Sequence, residues 1–310
     1  MKRFKILLLV LWCSLLLFLA AASFTNLIFD ENEEKVYNVT VVLEDDQKPL
    51  YENMKAGIRK ALEGTGVKIY YLNLSGKDQA EICQSLEEQC REKDMVIVKC
   101  DSNPLLEPLL KQCDTRQKVI CLNADDELSG ILCNIHTDEY SRGESLAQRI
   151  EKEQGEDCIL YVFGSAYEKL HQDVCALGLL GSNLKVIACL ERSEEEICER
   201  LASIEASGEN AAAVSVKTEF MKELAECQTK TGTEIPLYGF GYDKEIIKLM
   251  EDDKIQAVNV VSDYSMGYMS MKTAALAIDG KLDYQEQVLE SYTVGRDEIF
   301  SEKYENILFP

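Results

Sequence analysis

Short apolar runs alternate with longer stretches of helical periodicity from residue 36 onward. The first run, Tyr37–Leu43, precedes a helical stretch at Pro49–Leu62 and a second run at Lys68–Leu72. A nearly continuous apolar run is typical of a strand buried on both faces, whereas a surface helix shows an apolar stripe every three to four residues. The alternation therefore predicts an α/β protein with parallel sheets.

The same pattern continues through two successive units. The further elements predicted for the first unit are helix Gln79–Glu92, strand Met95–Lys99, helix Leu105–Cys113 and strands Lys118–Asn123 and Gly130–Ile135. Those predicted for the second are helices Glu139–Gln154, Glu168–Leu180, Glu194–Ala206, Glu219–Thr229 and Lys244–Glu251, with strands Cys158–Phe163, Leu184–Leu190, Ala211–Val216, Pro236–Gly239 and Ala257–Val261. A last helix, Met266–Asp279, and a last strand, Gln287–Tyr292, follow. Their periodicity does not indicate which sheet they join.

Length and charge narrow the possible functions. With 310 residues, the chain is long enough for two domains of roughly 100 to 200 residues each. The net charge is -22, and the acidic residues are spread along the chain without a basic stripe. Because such a surface repels a polyanion, nucleic acid is not expected as a partner.

The first 35 residues are expected to be a targeting segment and a short linker. Lys2, Arg3 and Lys5 precede the uncharged apolar run Ile6–Phe24, which is close to the roughly 20 residues needed for a transmembrane helix. The basic start predicts that this end stays in the cytoplasm and that the rest lies outside. Besides a retained membrane anchor, two alternatives are open. These are cleavage near residues 20–22 and lipidation of Cys13.

The twelve cysteines do not form a recognisable framework. No CxxC pair occurs, and Cys121, Cys133, Cys158 and Cys189 lie within apolar runs, where a thiol acts as a small core residue. Free, buried thiols are therefore expected.

The sequence offers little for catalysis. Its two histidines, His136 and His171, belong to no HExxH pattern, and no GxSxG motif is present. The turn at residues 239–241 lacks the third glycine of a dinucleotide-binding loop. We therefore expect neither an enzyme nor a bound cofactor or metal.

Four segments, in the right order and spacing, resemble type I periplasmic binding proteins of the ribose and sugar-binding kind. They are Pro49-Leu50-Tyr51 with Met54–Ile58, Ile135–Asp138 with Gly143, Tyr238-Gly239-Phe240 with Lys254–Ala257, and Met266-Gly267-Tyr268 with Ala274 and Ala275. The resemblance covers about residues 36 to 292.

The resemblance implies two Rossmann-like lobes with parallel sheets, joined by three hinge crossovers and closing on a small-molecule ligand. The N-terminal lobe would comprise residues 36–136 and 263–291, and the C-terminal lobe residues 137–262 and 292–310. The last predicted helix would pack on the N-terminal lobe. The partner would be the permease of a sugar transporter or a membrane histidine kinase. Two other classes that use similar folds are less favoured: a repressor-type regulator, because the apolar start replaces its DNA-binding module, and an enzyme.

The resemblance also marks the ligand positions, most of which differ from those of sugar-binding relatives. The aligned residues are Lys48, Leu50, Tyr51, Lys99, Asn123, His171, Lys217, Gly241 and Val261. Leu50 and Tyr51 keep an apolar or aromatic wall, whereas lysine replaces asparagine at three positions. Three lysines in one cleft would favour an anionic ligand such as a sugar acid or sugar phosphate. The alternative is that these lysines point away and pair with surface acids.

Overall fold

The computed structural model describes residues 11–18, 36–44, 51–100, 105–112, 118–124, 128, 130–164, 178–189, 193–282 and 285–309. The chain forms two compact units, Met1–Tyr37 and Asn38–Pro310. In the first unit, residues 11–18 are helical with exposed side chains. Among the described residues, no helix combines the length and apolarity of a membrane span. Most of the predicted anchor lies outside the described residues.

The larger unit contains two six-stranded sheets. Sheet 1 has the order β11-β5-β4-β3-β1-β2, and its strands are β1 (Tyr37–Leu43), β2 (Val67–Asn73), β3 (Met95–Lys99), β4 (Val119–Leu122), β5 (Cys133–Thr137) and β11 (Gln285–Leu289). Sheet 2 has the order β12-β10-β9-β8-β6-β7, and its strands are β6 (Ile159–Phe163), β7 (Lys185–Ala188), β8 (Ala211–Ser215), β9 (Leu237–Phe240), β10 (Ala257–Val261) and β12 (Ser291–Gly295). Strand β12 runs antiparallel to β10, while β9 and β10 are parallel, as are β3 and β4.

Helices pack against the faces of both sheets. Those on sheet 1 are α1 (Glu52–Ala61), α2 (Gln79–Glu92), α3 (Leu106–Leu110) and α8 (Asp263–Ile278). Those that follow the first crossover are α4 (Glu139–Gln154), α5 (Glu194–Ser207), α6 (Thr218–Thr231), α7 (Lys244–Glu251) and α9 (Glu302–Leu308). Several begin at an acidic or hydroxyl cap, such as Asp78, which forms a capping box with Glu81 at the start of α2.

Each sheet is buried on both faces. Along β3, Met95 and Ile97 pack in one apolar cluster, whereas Val96 and Val98 pack in the cluster on the other face. This arrangement follows from the period-2 geometry of a strand, and it explains why central strands such as β3 and β4 are almost entirely apolar.

Two glycines allow α1 and α8 to touch through their backbones. A Cβ atom at Gly57 would lie 2.0 Å from the carbonyl oxygen of Tyr264, and one at Gly267 would lie 2.1 Å from that of Met54. Met266, Met271 and Ala274 of α8 also pack into the core of sheet 1. The expected placement of the last predicted helix on the first sheet is therefore confirmed.

The prediction of a single strand at Gln287–Tyr292 is wrong. The chain instead leaves β11 at Leu289 and enters β12 at Ser291, so two strands in different sheets are separated by Glu290 alone.

Helix α9 was not predicted. The predicted helix Glu168–Leu180 lies mostly outside the described residues. Of its span, the structure describes only residues 178–180, which are helical. The proposed lobe boundaries stay a prediction.

The expectation for the cysteines is partly confirmed. Cys121, Cys133, Cys158 and Cys189 are all buried, and Cys121 and Cys158 are free thiols. The expectation of free thiols is wrong for Cys198 and Cys227, which form a disulfide between α5 and α6. Their partnership joins two helices that are adjacent in the fold, and spacing within the sequence does not reveal it.

Candidate ligand-binding site

The predicted ligand residues that the structure describes lie near the carboxyl ends of strands or, for Tyr51, just before a helix. They are Tyr51, Lys99, Asn123, Lys217, Gly241 and Val261. Lys48, Leu50 and His171 lie outside the described residues. Carboxyl ends of parallel strands meet at one edge of a sheet, where doubly wound folds bind their ligands.

On sheet 1, Lys99 is the last residue of β3 and is only 8% exposed. Asn123 follows β4 with a φ of 51°, and its backbone N–H donates to the carbonyl of Ile135 over 2.9 Å. Tyr51 is 3% exposed and packs with Met54 in the apolar core. Its ring therefore supports α1 from within the core.

On sheet 2, Lys217 is exposed at the start of α6. The hydroxyl of Ser215 donates to the Lys217 carbonyl over 2.6 Å, which fixes the turn between β8 and α6. Gly241 follows β9 with a φ of 86°, and its N–H donates to the Asn259 carbonyl over 2.9 Å. Thr218 donates to the Phe240 carbonyl over 3.4 Å. The carboxyl ends of these strands are thus held side by side.

Tyr242 is a candidate site residue that sequence reasoning missed. Its hydroxyl donates to the carbonyl of Ile307 over 2.7 Å. Burial, and to a smaller extent the charge of Asp263, raise the pKa of Tyr242, whereas a side-chain hydrogen bond with Asn53 lowers it, and the net pKa is about 12. Tyr242 follows β9 of sheet 2, whereas Asn53 and Asp263 begin helices packed on sheet 1. It therefore bridges the two sheets. An aromatic residue directly after Gly241 was the available signal.

Asp243, the next residue, has a structural role. Its Oδ1 accepts the backbone N–H groups of Glu245 and Ile246 at 2.9 Å each, which caps α7. Its other oxygen lies 2.6 Å from the ammonium group of Lys222. Burial by itself would raise the pKa of Asp243, but the bonds with Lys222 and the helix N–H groups bring it below its usual value. This carboxylate therefore serves as the N-cap of α7.

A partly buried polar network lies where the chain crosses between the sheets. Nε of Arg142 on α4 donates to Oδ1 of Asn259 on β10 over 2.8 Å, and Nδ2 of Asn259 donates to the Thr293 hydroxyl of β12 over 3.0 Å. The hydroxyls of Thr293 and Ser145 are 2.8 Å apart. Nη1 of Arg142 also donates to both carboxylate oxygens of Glu139, at 2.9 and 2.7 Å. The network joins the elements of sheet 2 that adjoin the three crossovers.

The crossovers themselves run side by side. Leu289, the end of β11, is paired with Thr137, the end of β5. Ser291, the start of β12, is paired with Val261, the end of β10. All three passages between the sheets therefore lie within one narrow region.

A cavity of about 350 Å³ adjoins the third crossover. Tyr264 and Tyr268 of α8, Tyr292 of β12 and Ile307 of α9 contribute to its walls, together with Glu290. The hydroxyl of Tyr292 donates to the Glu290 carboxylate over 2.6 Å. The walls include elements packed on both sheets, so relative rotation of the sheets would change the shape of this cavity.

The fold consists of two sheets of mostly parallel strands, linked by three adjacent crossovers. A sequence match identifies the family to which it belongs. Residues 39–282 match the model of the periplasmic binding protein domain. The chain belongs to this family. The α/β fold of two lobes expected from the resemblance is thereby confirmed, and so is the family itself.

Solved structures of solute-binding and sugar-binding proteins share the fold. An ABC transporter solute binding protein from Agrobacterium vitis with bound D-fucose is 14% identical over 88% of this chain and 100% of its own, with a TM-score of 0.71. A glucose-galactose binding protein from Geobacillus stearothermophilus is 17% identical over 86% and 99%, with a TM-score of 0.68. A sugar-binding protein of a sugar ABC transporter from Bacillus halodurans is 14% identical over 85% and 98%, with a TM-score of 0.72. A comparison with curated protein sequences finds no match.

Proposed function

We propose that this protein is a solute receptor that closes on a carbohydrate or sugar derivative and delivers it to the permease of an ABC transporter. The observation that carries the proposal is the family match over residues 39–282. Residues 36–136 with 263–291 would form one lobe, and residues 137–262 with 292–310 the other. The ligand would lie between them, at the carboxyl ends of the strands.

The relatives support the carbohydrate class. The proteins of similar fold include one with bound D-fucose and one in complex with D-arabinose. Identities of 14% and 16% leave room for a different ligand within that class. The side chains of this chain must therefore define the ligand more closely.

Lys99 is the last residue of β3, and Lys217 lies two residues after β8. These positions support a role for both lysines in ligand binding. With Lys48, they would give a positive cleft in a chain whose net charge is -22. A partly dry cleft strengthens charge interactions over those in water. We therefore propose an anionic sugar derivative, a sugar acid or a sugar phosphate, with the lysines as point-charge donors.

We further propose that the domain faces the outside of the cell and is tethered by the apolar segment Ile6–Phe24 as a transmembrane helix. A receptor that is tethered to the membrane also suits a second candidate function. In that function, the closed receptor reports its ligand to a membrane histidine kinase. In both roles the protein binds its ligand without transforming it.

Thermal unfolding of the full-length protein in detergent tests the ligand class. Sugar acids and sugar phosphates are expected to raise the Tm more than the matching neutral sugars, because a ligand that binds only the folded state stabilises it by mass action. Loss of this shift in Lys99→Met and Lys217→Ala, with retention in Lys254→Ala, would place the anion in the cleft. Lys254 precedes β10 at the opposite end of the strand and serves as the control.

Neutral sugars that stabilise as well as the anions would overturn the anionic proposal and keep the carbohydrate receptor. No stabilisation by any sugar or derivative would overturn both. Cross-linking in the native membrane distinguishes the two partners, since a permease is expected in the first case and a histidine kinase in the second.

A further inference from the structure

Three metal-ligating side chains meet on the outer layer of sheet 2. Cys198 of α5 and Cys227 of α6 are joined as a disulfide with a Cα–Cα distance of 5.0 Å. Glu194 lies one helical turn before Cys198, on the same face of α5. One ligand atom from each of Glu194, Cys198 and Cys227 lies within 4.8 Å of the other two.

We propose that these three residues form a binding site for a zinc ion when the disulfide is reduced. Zn²⁺ binds thiolate sulfur at about 2.3 Å and carboxylate oxygen at about 2.0–2.2 Å in a tetrahedron, so neighbouring ligand atoms lie roughly 3.5–3.8 Å apart. All three ligand atoms already lie within 4.8 Å of one another. Once reduction breaks the S–S bond, the two sulfur atoms must move apart to reach the tetrahedral spacing, and a water would complete the tetrahedron. The site is separate from the proposed sugar cleft and does not depend on it.

The disulfide and the metal site are alternative states of the same two sulfur atoms. A small dithiol reductant transfers two electrons to the S–S bond, which leaves two cysteine thiols and the oxidised, cyclic disulfide of the reductant. Binding of Zn²⁺ then displaces the two thiol protons and gives two metal-bound thiolates. The cation therefore binds only the reduced chain.

The local packing suits this exchange. Sγ of Cys227 lies 3.5 Å from the backbone oxygen of Glu194, so it already faces the first turn of α5. Cys227 is fully buried, Cys198 is partly buried and Glu194 is exposed. An ion would thus reach the two sulfur atoms from the solvent side of α5, past the carboxylate.

Lys230 is the group that the cation must displace, because its ammonium group bonds to the Glu194 carboxylate. About half of each side chain is exposed, and exposed ion pairs of this kind contribute little to stability. Glu226 lies 3.8 Å from the same ammonium group and adds a second negative charge nearby. The surroundings therefore favour a cation once the thiolates are available.

Another Cys-Glu pair provides a matched control. On α2, the thiol of Cys83 lies 3.8 Å from the carboxylate of Glu87, four residues along the helix. This pair has the same helical spacing as Glu194 and Cys198. It belongs to no three-ligand group among the residues that the structure describes.

The test is Zn²⁺ titration of the full-length protein in detergent, after reduction and removal of the reductant under nitrogen, in competition with a chromophoric chelator. Reduced wild type is expected to bind one Zn²⁺ more than either oxidised wild type or the reduced Cys198→Ser/Cys227→Ser variant. Glu194→Gln should weaken Zn²⁺ binding by at least about 10- to 100-fold. Losing an outer-shell partner of a metal has an effect of that size, and Glu194 is proposed as a direct ligand. Cys83→Ser/Glu87→Gln should leave the extra equivalent unchanged.

Co²⁺ gives a second measurement that does not require the cysteine variant to fold. Reduced wild type with one equivalent of Co²⁺ should show sulfur-to-cobalt absorption near the ultraviolet, and Zn²⁺ should remove it. Equal Zn²⁺ binding by the oxidised and reduced wild type, or no thiolate absorption with Co²⁺, would overturn the proposal. Loss of the ion in the Cys83 control variant with its retention in Glu194→Gln would also overturn it.

Discussion

Nε of Arg142 lies 2.8 Å from Oδ1 of Asn259, although 117 residues separate them in the chain. Asn259 is completely buried, and its backbone oxygen also accepts the N–H of Gly241. One amide side chain thus connects the helix after the first crossover to the strand before the second. The Arg142 side chain is mostly buried, with 13% of its surface exposed. A guanidinium group in such a position needs partners, because an unsatisfied charge away from water is costly.

Asn259→Ala should therefore destabilise the protein by about 1–3 kcal/mol, since it leaves Nε of Arg142 without its acceptor and the Thr293 hydroxyl without its donor. Urea unfolding of the full-length protein measures the effect. The control is Asn210→Ala, which removes bonds from an exposed amide to Gln154 and Asp157. Equal losses of unfolding free energy in the two variants would show that the Arg142–Asn259–Thr293 network stabilises the protein no more than an exposed amide does.

The close contact between α1 and α8 gives a second prediction. Gly57→Ala and Gly267→Ala should each cost at least about 1–3 kcal/mol, because the added methyl group meets rigid helix backbone. Gly64→Ala is the reference, since Gly64 has a φ of 78° but open space around its Cβ position. That change should cost only the roughly 1–2 kcal/mol of left-handed backbone strain. Thermal unfolding in which Gly57→Ala matches wild type would contradict the observed helix contact.

The disulfide gives a third prediction. Reduction of Cys198–Cys227, whose ends are 29 residues apart, should lower the free energy of unfolding by about 3–4 kcal/mol in the presence of a metal chelator. Cys198→Ser/Cys227→Ser should show the lower stability from the start and should not respond to a reductant. A further loss on reducing this variant would indicate another stabilising disulfide.

Tyr242 predicts an alkaline loss of stability. A tyrosine in the unfolded chain ionises near pH 10, whereas the folded pKa is raised to about 12. Between these values the unfolded chain has released the proton and the folded chain has kept it. Stability is therefore intact below pH 10 and falls by about 1.4 kcal/mol per pH unit up to about pH 12.

Urea unfolding between pH 9 and 12 should show that Tyr242→Phe loses less stability over this window than wild type does. Tyr70→Phe, at an exposed position, is the control. If Tyr242→Phe and wild type lose stability in parallel, the buried hydroxyl is not the group responsible.

Much of the fold was predictable because local signals agree with the final structure. Strands β1, β3 and β10 and helices α2, α4 and α7 have the predicted bounds. In α2, for example, the apolar stripe begins directly after the capping box of Asp78 and Glu81. The prediction for the β11–β12 segment failed because the local sequence gives no signal for the break between the two strands. Both strands continue the same pattern, and a single intervening Glu290 does not show that the chain changes sheets.

The candidate site residues came from the family resemblance and not from local pattern. Lys99, Lys217 and Gly241 were named because they align with ligand positions of the family, and each lies at or shortly after the end of a strand. Their role in ligand binding stays a prediction. The Arg142–Asn259 pair was missed because local pattern does not indicate which distant residues meet. The disulfide was missed for the same reason, since Cys198 and Cys227 lie in separate amphipathic helices.

Glu290 is the whole connection between β11 and β12, and the neighbouring strand pairs fix both of its ends. A rotation of one sheet against the other must then be absorbed by very few backbone torsions at this point. The axis of rotation would pass close to Glu290, and every atom would move in proportion to its distance from that axis. Loops at the far rim would sweep the longest arc, and the groups nearest Glu290 would hardly move.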